Sequence, residues 1–190
     1  MLLENRKILG LLEDVEMTGI IKEDKAICGV DEICKCIALK IQRCNPNLIF
    51  IGNGGSAAIA THMTADFMKN GGIKTISMYD VPTITCLAND FGYEYVFSKQ
   101  IEKINEEKNL LVAISSSGKS QNIINAIKAA REKKADVYTF TGFDEDNPIR
   151  KLGDINVYVP CHKYGIVESI HNLILQEIVD IIMERDGVRL

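Results

Sequence analysis

Two segments of this 190-residue chain pass from a buried strand into a helix through a loop of glycines and small hydroxyl side chains, and that duplication limits what the chain can fold into. In the first, Leu48-Ile49-Phe50-Ile51 is a short apolar run that ends in Gly52-Asn53-Gly54-Gly55-Ser56-Ala57-Ala58. In the second, Leu110-Leu111-Val112-Ala113-Ile114 runs into Ser115-Ser116-Ser117-Gly118-Lys119-Ser120-Gln121-Asn122. Continuous rather than alternating apolar runs suit parallel strands covered on both faces. A helix start leaves backbone amides unpaired with the positive end of the helix dipole behind them, so each loop is suited to an anion, and Ser56 is the expected N-cap of the first helix. Both loops follow the carboxyl end of a strand, which puts two candidate anion sites at one edge of a single sheet.

The rest of the chain extends the same alternation. Apolar spacing predicts an amphipathic helix from Leu2 to about Thr18 and a second from Val30 to Arg43, stopped by Asn45-Pro46-Asn47. Further helices are expected over 57–69, 83–87, 94–106, 119–134 and 166–184, with a single turn at 149–152. Strands are expected over 48–51, 75–79, 110–114, 136–141 and 155–159. Strands alternating with helices imply right-handed crossovers. The expectation is an α/β, three-layer, doubly wound sandwich: a five-stranded parallel sheet in flavodoxin-like order 2-1-3-4-5, helices on both faces, and N-terminal helices added. Residues 1–190 then form one domain, with 1–45 a helical extension that packs on it or on a partner subunit.

Composition excludes several functions. A formal charge of −4 without a basic run gives no electrostatic footprint for nucleic acid. No uninterrupted stretch approaches the roughly 18 apolar residues of a membrane span, and the N-terminus has neither the charge pattern nor the apolar core of a secretory signal. The six cysteines form no C-x-x-C pair and lie mostly in apolar periodic segments, which points to reduced thiols and a cytoplasmic protein.

The serine loop is chemically the more informative of the two. Ser115, Ser116, Ser117 and Ser120 bring four hydroxyls and a set of helix-start amides to one point, with Gly118 allowing close approach, whereas capping a helix takes one hydroxyl or two. Such a loop holds a phosphate monoester without any arginine; Lys119 is expected to be a solvated helix residue. The run Gly52-Asn53-Gly54-Gly55-Ser56-Ala57 also fits the dinucleotide fingerprint, with Asp80 as the ribose-binding acid, but that match leaves the serine loop unexplained.

Taken together, GNGGSA followed by a helix carrying His62, then Asn89-Asp90, ISSSGKS and a helix after Tyr164-Gly165, resemble the sugar isomerase (SIS) domain. Within it the whole chain is most similar to the phosphoheptose isomerases, which interconvert sedoheptulose 7-phosphate and D-glycero-D-manno-heptose 7-phosphate for nucleotide-activated heptose and for capsule or lipopolysaccharide. The resemblance implies a homotetramer, with a dimer as the alternative, and no nucleotide cofactor. It implies sugar contacts from Asn53, Gly54, Gly55, Ser56, Asn89 and Asp90, and a phosphate held by Ser115, Ser116, Ser117 and Ser120.

That family also carries a His and a Glu one helical turn apart, and a Gln and a His two turns apart on the last helix, which many members use to bind zinc. Here His62, Asp66, Glu168 and Gln176 hold those positions, so three of the four differ in type, and together they form the expected ligand set for a divalent metal, zinc first. His62 and Asp66 share a helix face, and Glu168 and Gln176 lie about 80° apart around theirs. Isomerisation through an enediol needs a base for a carbon-bound proton; Asp66 and Glu168 are the candidates, whereas Gln176 transfers no proton at neutral pH. His171, one turn from Glu168, is expected to pack in the core or meet solvent, and His162 to be exposed. The alternative in a different class is a catalytically inactive SIS-fold sugar-phosphate sensor or scaffold.

Overall fold

The computed structural model describes residues 9–19, 27–104, 108–185 and 187. The expected parallel sheet is built from β3 (Asn47–Ile51), β4 (Thr75–Ile76), β5 (Asn109–Ser115), β6 (Asp136–Gly142) and β7 (Ile155–Val159). Their spatial order is β4-β3-β5-β6-β7, all parallel, which is the 2-1-3-4-5 arrangement. The sheet is larger than expected, with seven strands. Two short antiparallel strands, β1 (Glu16–Thr18) and β2 (Ile27–Cys28), continue it past β7.

β1 overturns the C-terminal end of the first predicted helix. Residues 9–13 are helical, but Val15 and Met17 are both buried while Glu16 and Thr18 between and after them are not, an alternation of period two. Val15 is also in phase with the apolar residues of the helix before it, so spacing alone did not show the change of period. Pairing of Glu16–Thr18 with Asn156–Tyr158 covers the β7 edge that the expected sheet would have left open. The part of the predicted helix over 2–8 lies outside the described residues.

Among the described residues the α-helices that follow are α1 (Val30–Cys44), α2 (Gly55–Lys69), α3 (Val81–Phe91), α4 (Ser98–Ile101), α5 (Gln121–Glu132) and α6 (Tyr164–Arg185). α3 is longer than the helix predicted over 83–87. Asp80-Val81-Pro82, between the expected strand and the expected helix, is a helix start: the Asp80 side chain accepts from the Thr83 amide at 3.0 Å, and Pro82 occupies the first turn, where its missing N–H costs nothing. That start leaves only two residues of the second strand, Thr75–Ile76. The segment predicted as one helix over 94–106 is a 3-10 turn at Tyr93–Tyr95 followed by α4; its residues 105 and 106 lie outside the described residues.

Alternate residues of the buried strands face opposite layers. Leu48, Phe50, Leu110, Val112 and Ile114 pack with α1, α2 and α6, whereas Ile49, Ile51, Leu111 and Ala113 pack with α4 and α5. This is the three-layer sandwich. α1 buries Ile33, Cys34, Ile37, Ala38 and Ile41 in the first of these layers, and the Cys34 thiol donates to the Ile174 carbonyl of α6 at 3.6 Å. This apolar face packs on the chain's own sheet. β3 pairs with β4 on one side and β5 on the other, so the crossovers leaving β3 and β5 diverge and open a crevice between their carboxyl ends.

Candidate active site

The crevice is a cleft of about 340 Å³ lined by the two loops, by Ile114, and by Tyr164 and Glu168 of α6. Its first wall is the glycine turn. Gly54, not Ser56, is the N-cap of α2, with φ 55° and ψ −121°, a conformation that a side chain rarely adopts. Ser56 instead sits inside the first turn, 3% exposed. At Gly55 a Cβ would run into the Glu168 carboxylate, so the absence of a side chain lets that carboxylate come against the loop. From beneath, the Tyr79 hydroxyl accepts from the Gly52 amide at 2.7 Å and donates to the Gly52 carbonyl at 2.8 Å. Burial and the neighbouring Tyr93 push the Tyr79 pKa up, so the hydroxyl keeps the proton that this clasp needs.

The second wall is the serine loop. Gly118 donates to the Ser115 carbonyl at 2.9 Å with φ 63°, and a Cβ there would collide with the Asn147 side chain. Asn147 is buried behind the loop, donating to the Gly142 and Asp144 carbonyls and accepting from the Arg150 amide at 3.0 Å. Ser120 is the N-cap of α5, but its hydroxyl makes no capping bond; it accepts from Ser115 Oγ at 3.4 Å. Ser116 Oγ is buried with no partner. Buried hydroxyls are ordinarily hydrogen-bonded, so an orphan beside a cleft marks where a ligand oxygen belongs. Lys119 is exposed and tied to Asp144 at 2.6 Å, away from the cleft wall. No cation is among the described lining residues, which leaves phosphate binding to hydroxyls and backbone amides.

Of the residues expected to touch sugar or phosphate, Asn53, Gly54, Gly55, Ser56, Ser115, Ser116, Ser117, Ser120 and Glu168 all line this cleft. Asn89 and Asp90 do not. They lie exposed at the end of α3, with Asn89 Nδ2 donating to Asp90 at 2.9 Å and the Cys86 thiol donating to Asp90 at 3.6 Å. Sequence reasoning missed Tyr164, which stands one helical turn before Glu168, and also Tyr93 and Asn122, whose side chains hold Asn53. Spacing on α6 would have found the first; nothing in the sequence marks the other two.

The expected metal set divides in two. Asp66 Oδ2 lies 3.1 Å from His62 Nε2 and accepts from Gln176 Nε2 at 2.7 Å, whereas Glu168 stands in the cleft, eight residues before Gln176. Three of the four expected ligands, His62, Asp66 and Gln176, meet at the Asp66 carboxylate, while Glu168 lines the cleft. Among the described residues no three His, Cys, Asp or Glu side chains converge, so the set as arranged offers an ion one carboxylate, one imidazole and one amide at a single point. His171 is fully buried, with Nε2 against the Thr141 carbonyl at 3.1 Å and its ring edge-on to Phe140. Burial lowers its pKa to about 4, so it is a neutral core histidine. His162 is exposed and stacked on Phe143.

A parallel sheet with a serine loop and a glycine turn at adjacent strand ends is the arrangement of the SIS domain, and that family matches residues 33–142. The chain belongs to the SIS domain family and, within it, to the phosphoheptose isomerases. It is 41% identical to the phosphoheptose isomerase of Proteus mirabilis over 69% of this chain and 71% of that one. It is 35% identical to that of Buchnera aphidicola over 84% and 87%. Among solved structures, the phosphoheptose isomerase from Neisseria gonorrhoeae superimposes with a TM-score of 0.79 at 28% identity, covering 95% of this chain and 94% of that one. The Francisella tularensis phosphoheptose isomerase gives 0.71 at 27% identity, covering 82% and 85%.

Proposed function

We infer that the chain is an aldose-ketose isomerase that interconverts sedoheptulose 7-phosphate and D-glycero-D-manno-heptose 7-phosphate. The observation that supports this most is one cleft with a neutral phosphate cradle on one wall and, facing the glycine turn, Glu168 as the one carboxylate among its described lining residues. The phosphate binds to the hydroxyls of Ser115, Ser116, Ser117 and Ser120 and to the amides that open α5, which anchors the far end of the sugar. Glu168 removes a proton from C1 of the ketose; O2 gains a proton and the enediol forms. Return of a proton to C2 with loss of the O1 proton gives the aldose. Asp66 is assigned a supporting role, because both His62 and Gln176 already engage its carboxylate and it is not part of the cleft wall.

No step in this scheme uses a metal. The zinc expectation becomes an arm of the same assay, run on metal-stripped protein with and without added zinc. Incubation with sedoheptulose 7-phosphate in deuterated water is expected to place deuterium at C2 of the heptose product, and Glu168→Gln is expected to abolish it. Binding without any exchange in either arm would instead favour a sugar-phosphate sensor. The product would feed nucleotide-activated heptose and surface polysaccharide in the cytoplasm; no described helix is long and apolar enough to cross a membrane. The proposed assembly is a homotetramer, to be checked by sedimentation. Exposed Val81, Phe91, Tyr93 and Tyr95 give α3 and the turn after it an apolar surface suited to burial between subunits.

A further inference from the structure

We propose that Asn122 and Tyr93 are positioning residues that lock the Asn53 side chain so that it meets the sugar as a hydrogen-bond donor only. This rests on the isomerase assignment of the cleft. Asn122 is 3% exposed at the start of α5, and its amide pairs head-to-tail with that of Asn53 across the crevice between β3 and β5. Asn53 Nδ2 donates to Asn122 Oδ1 at 2.9 Å, and Asn122 Nδ2 donates to Asn53 Oδ1 at 2.8 Å.

Which end of each amide is oxygen follows from one backbone group. The Ile123 N–H, which can only donate, is shared between the Ser120 carbonyl at 3.1 Å and Asn122 at 3.0 Å; an amide NH2 at the second position would oppose it, so that atom is the oxygen. The nitrogen of Asn122 therefore faces Asn53, and the facing atom of Asn53 is its oxygen. The Tyr93 hydroxyl, 3.0 Å from the same Asn53 oxygen, must then be donating. Both acceptor positions of Asn53 Oδ1 are used and one of its two Nδ2 hydrogens is used, which leaves a single N–H for the cleft that Asn53 lines.

A fixed N–H with no competing acceptor is matched to an oxygen that gains negative charge. In the reaction above that oxygen is O1 or O2 of the enediol, where a preorganised donor stabilises the transition state more than the ground state. Asn53 would thus act on turnover more than on binding, with the phosphate already anchored at the serine loop.

The first measurement is the side-chain amide signal of Asn53 in asparagine-labelled full-length protein, identified by its loss in Asn53→Asp. One Nδ2 proton is expected to be protected from exchange, and sedoheptulose 7-phosphate is expected to shift the other. Asn122→Asp keeps the acceptor for the Ile123 amide and for Asn53 Nδ2, but it has no hydrogen to give Asn53 Oδ1, so the orientation of the Asn53 amide is no longer fixed and the substrate-dependent shift of its second Nδ2 proton should be lost. In steady-state assays Asn122→Asp is expected to lower kcat at least about tenfold with KM within about threefold, as loss of one transition-state donor does. Tyr93→Phe, which keeps the ring and removes only the hydroxyl, is expected to lower kcat by about two- to fivefold on the same ground. An unprotected Asn53 amide in the unaltered protein, or kcat unchanged in both variants, overturns the proposal. Absence of turnover in the unaltered protein with the Asn53 signature present overturns the isomerase assignment while leaving the lock standing.

Discussion

Asp66 and Glu168 project from two helices that pack against each other, and they end in opposite circumstances. Asp66 is engaged by His62 and Gln176 and is largely buried, with 19% of its side chain exposed. Glu168 lines the cleft against a glycine that makes room for it. A carboxylate tied to two neighbouring side chains is held in one place, which suits it to order those groups. A carboxylate facing a cleft is free to accept a proton from substrate. Two side chains of one chemical type therefore differ in role because one is satisfied within the fold and the other is not.

The largest expected effect comes from Glu168→Gln, which removes the base and keeps the shape. Turnover should fall by about three orders of magnitude or more while thermal stabilisation by inorganic phosphate, which reports the serine loop, stays intact. If Asp66→Asn caused the larger loss, the division between the two carboxylates would be wrong.

Gly55→Ala is expected to cost about ten- to a hundredfold in kcat, because the new Cβ displaces the Glu168 carboxylate from the loop without altering its chemistry. Asp66→Asn should lower kcat by only a few-fold and lower stability by about 1 kcal/mol, measured by denaturant titration, since the bond from His62 lies near solvent. The smallest effect on the comparison comes from His171, which touches neither carboxylate in the contacts described. Its pKa is lowered to about 4 in the fold against 6.5 when free, so the unfolded chain binds the extra proton first. Stability is thus expected to be full above about pH 6.5 and to fall between there and about pH 4, by a few kcal/mol, while activity per folded molecule is unaffected by this group. Unfolding curves at several pH values, compared with His171→Gln, check the sign.

The parallel part of the fold was legible in sequence because it rests on local signals. Five apolar runs bounded by glycine, proline or polar turns mark the five parallel strands, and the serine and glycine loops mark the ends of two of them. β1 and β2 were missed because a three-residue and a two-residue strand carry too little periodicity and exist only by pairing, β1 with β7 and β2 with β1. α3 was cut short because Asp80 and Pro82 signal both a break and a helix start, and the Asp80 side-chain bond to Thr83 decides between them. Expected cleft residues that follow a strand end came together, since the sheet itself delivers them to one edge. Asn89 and Asp90, at the far end of an exposed helix, are not delivered by the sheet.

By itself the sequence determined where the anion loops lie and what they are made of, because strand, turn and helix start are neighbours along the chain and need only local backbone geometry. Only the tertiary structure decided which hydroxyl is left without a partner, which carboxylate is spent on the fold, and which end of the Asn53 amide faces the cleft. Each of those depends on the partner a polar group meets across elements distant in sequence, and a buried donor or acceptor is committed or free according to that partner alone.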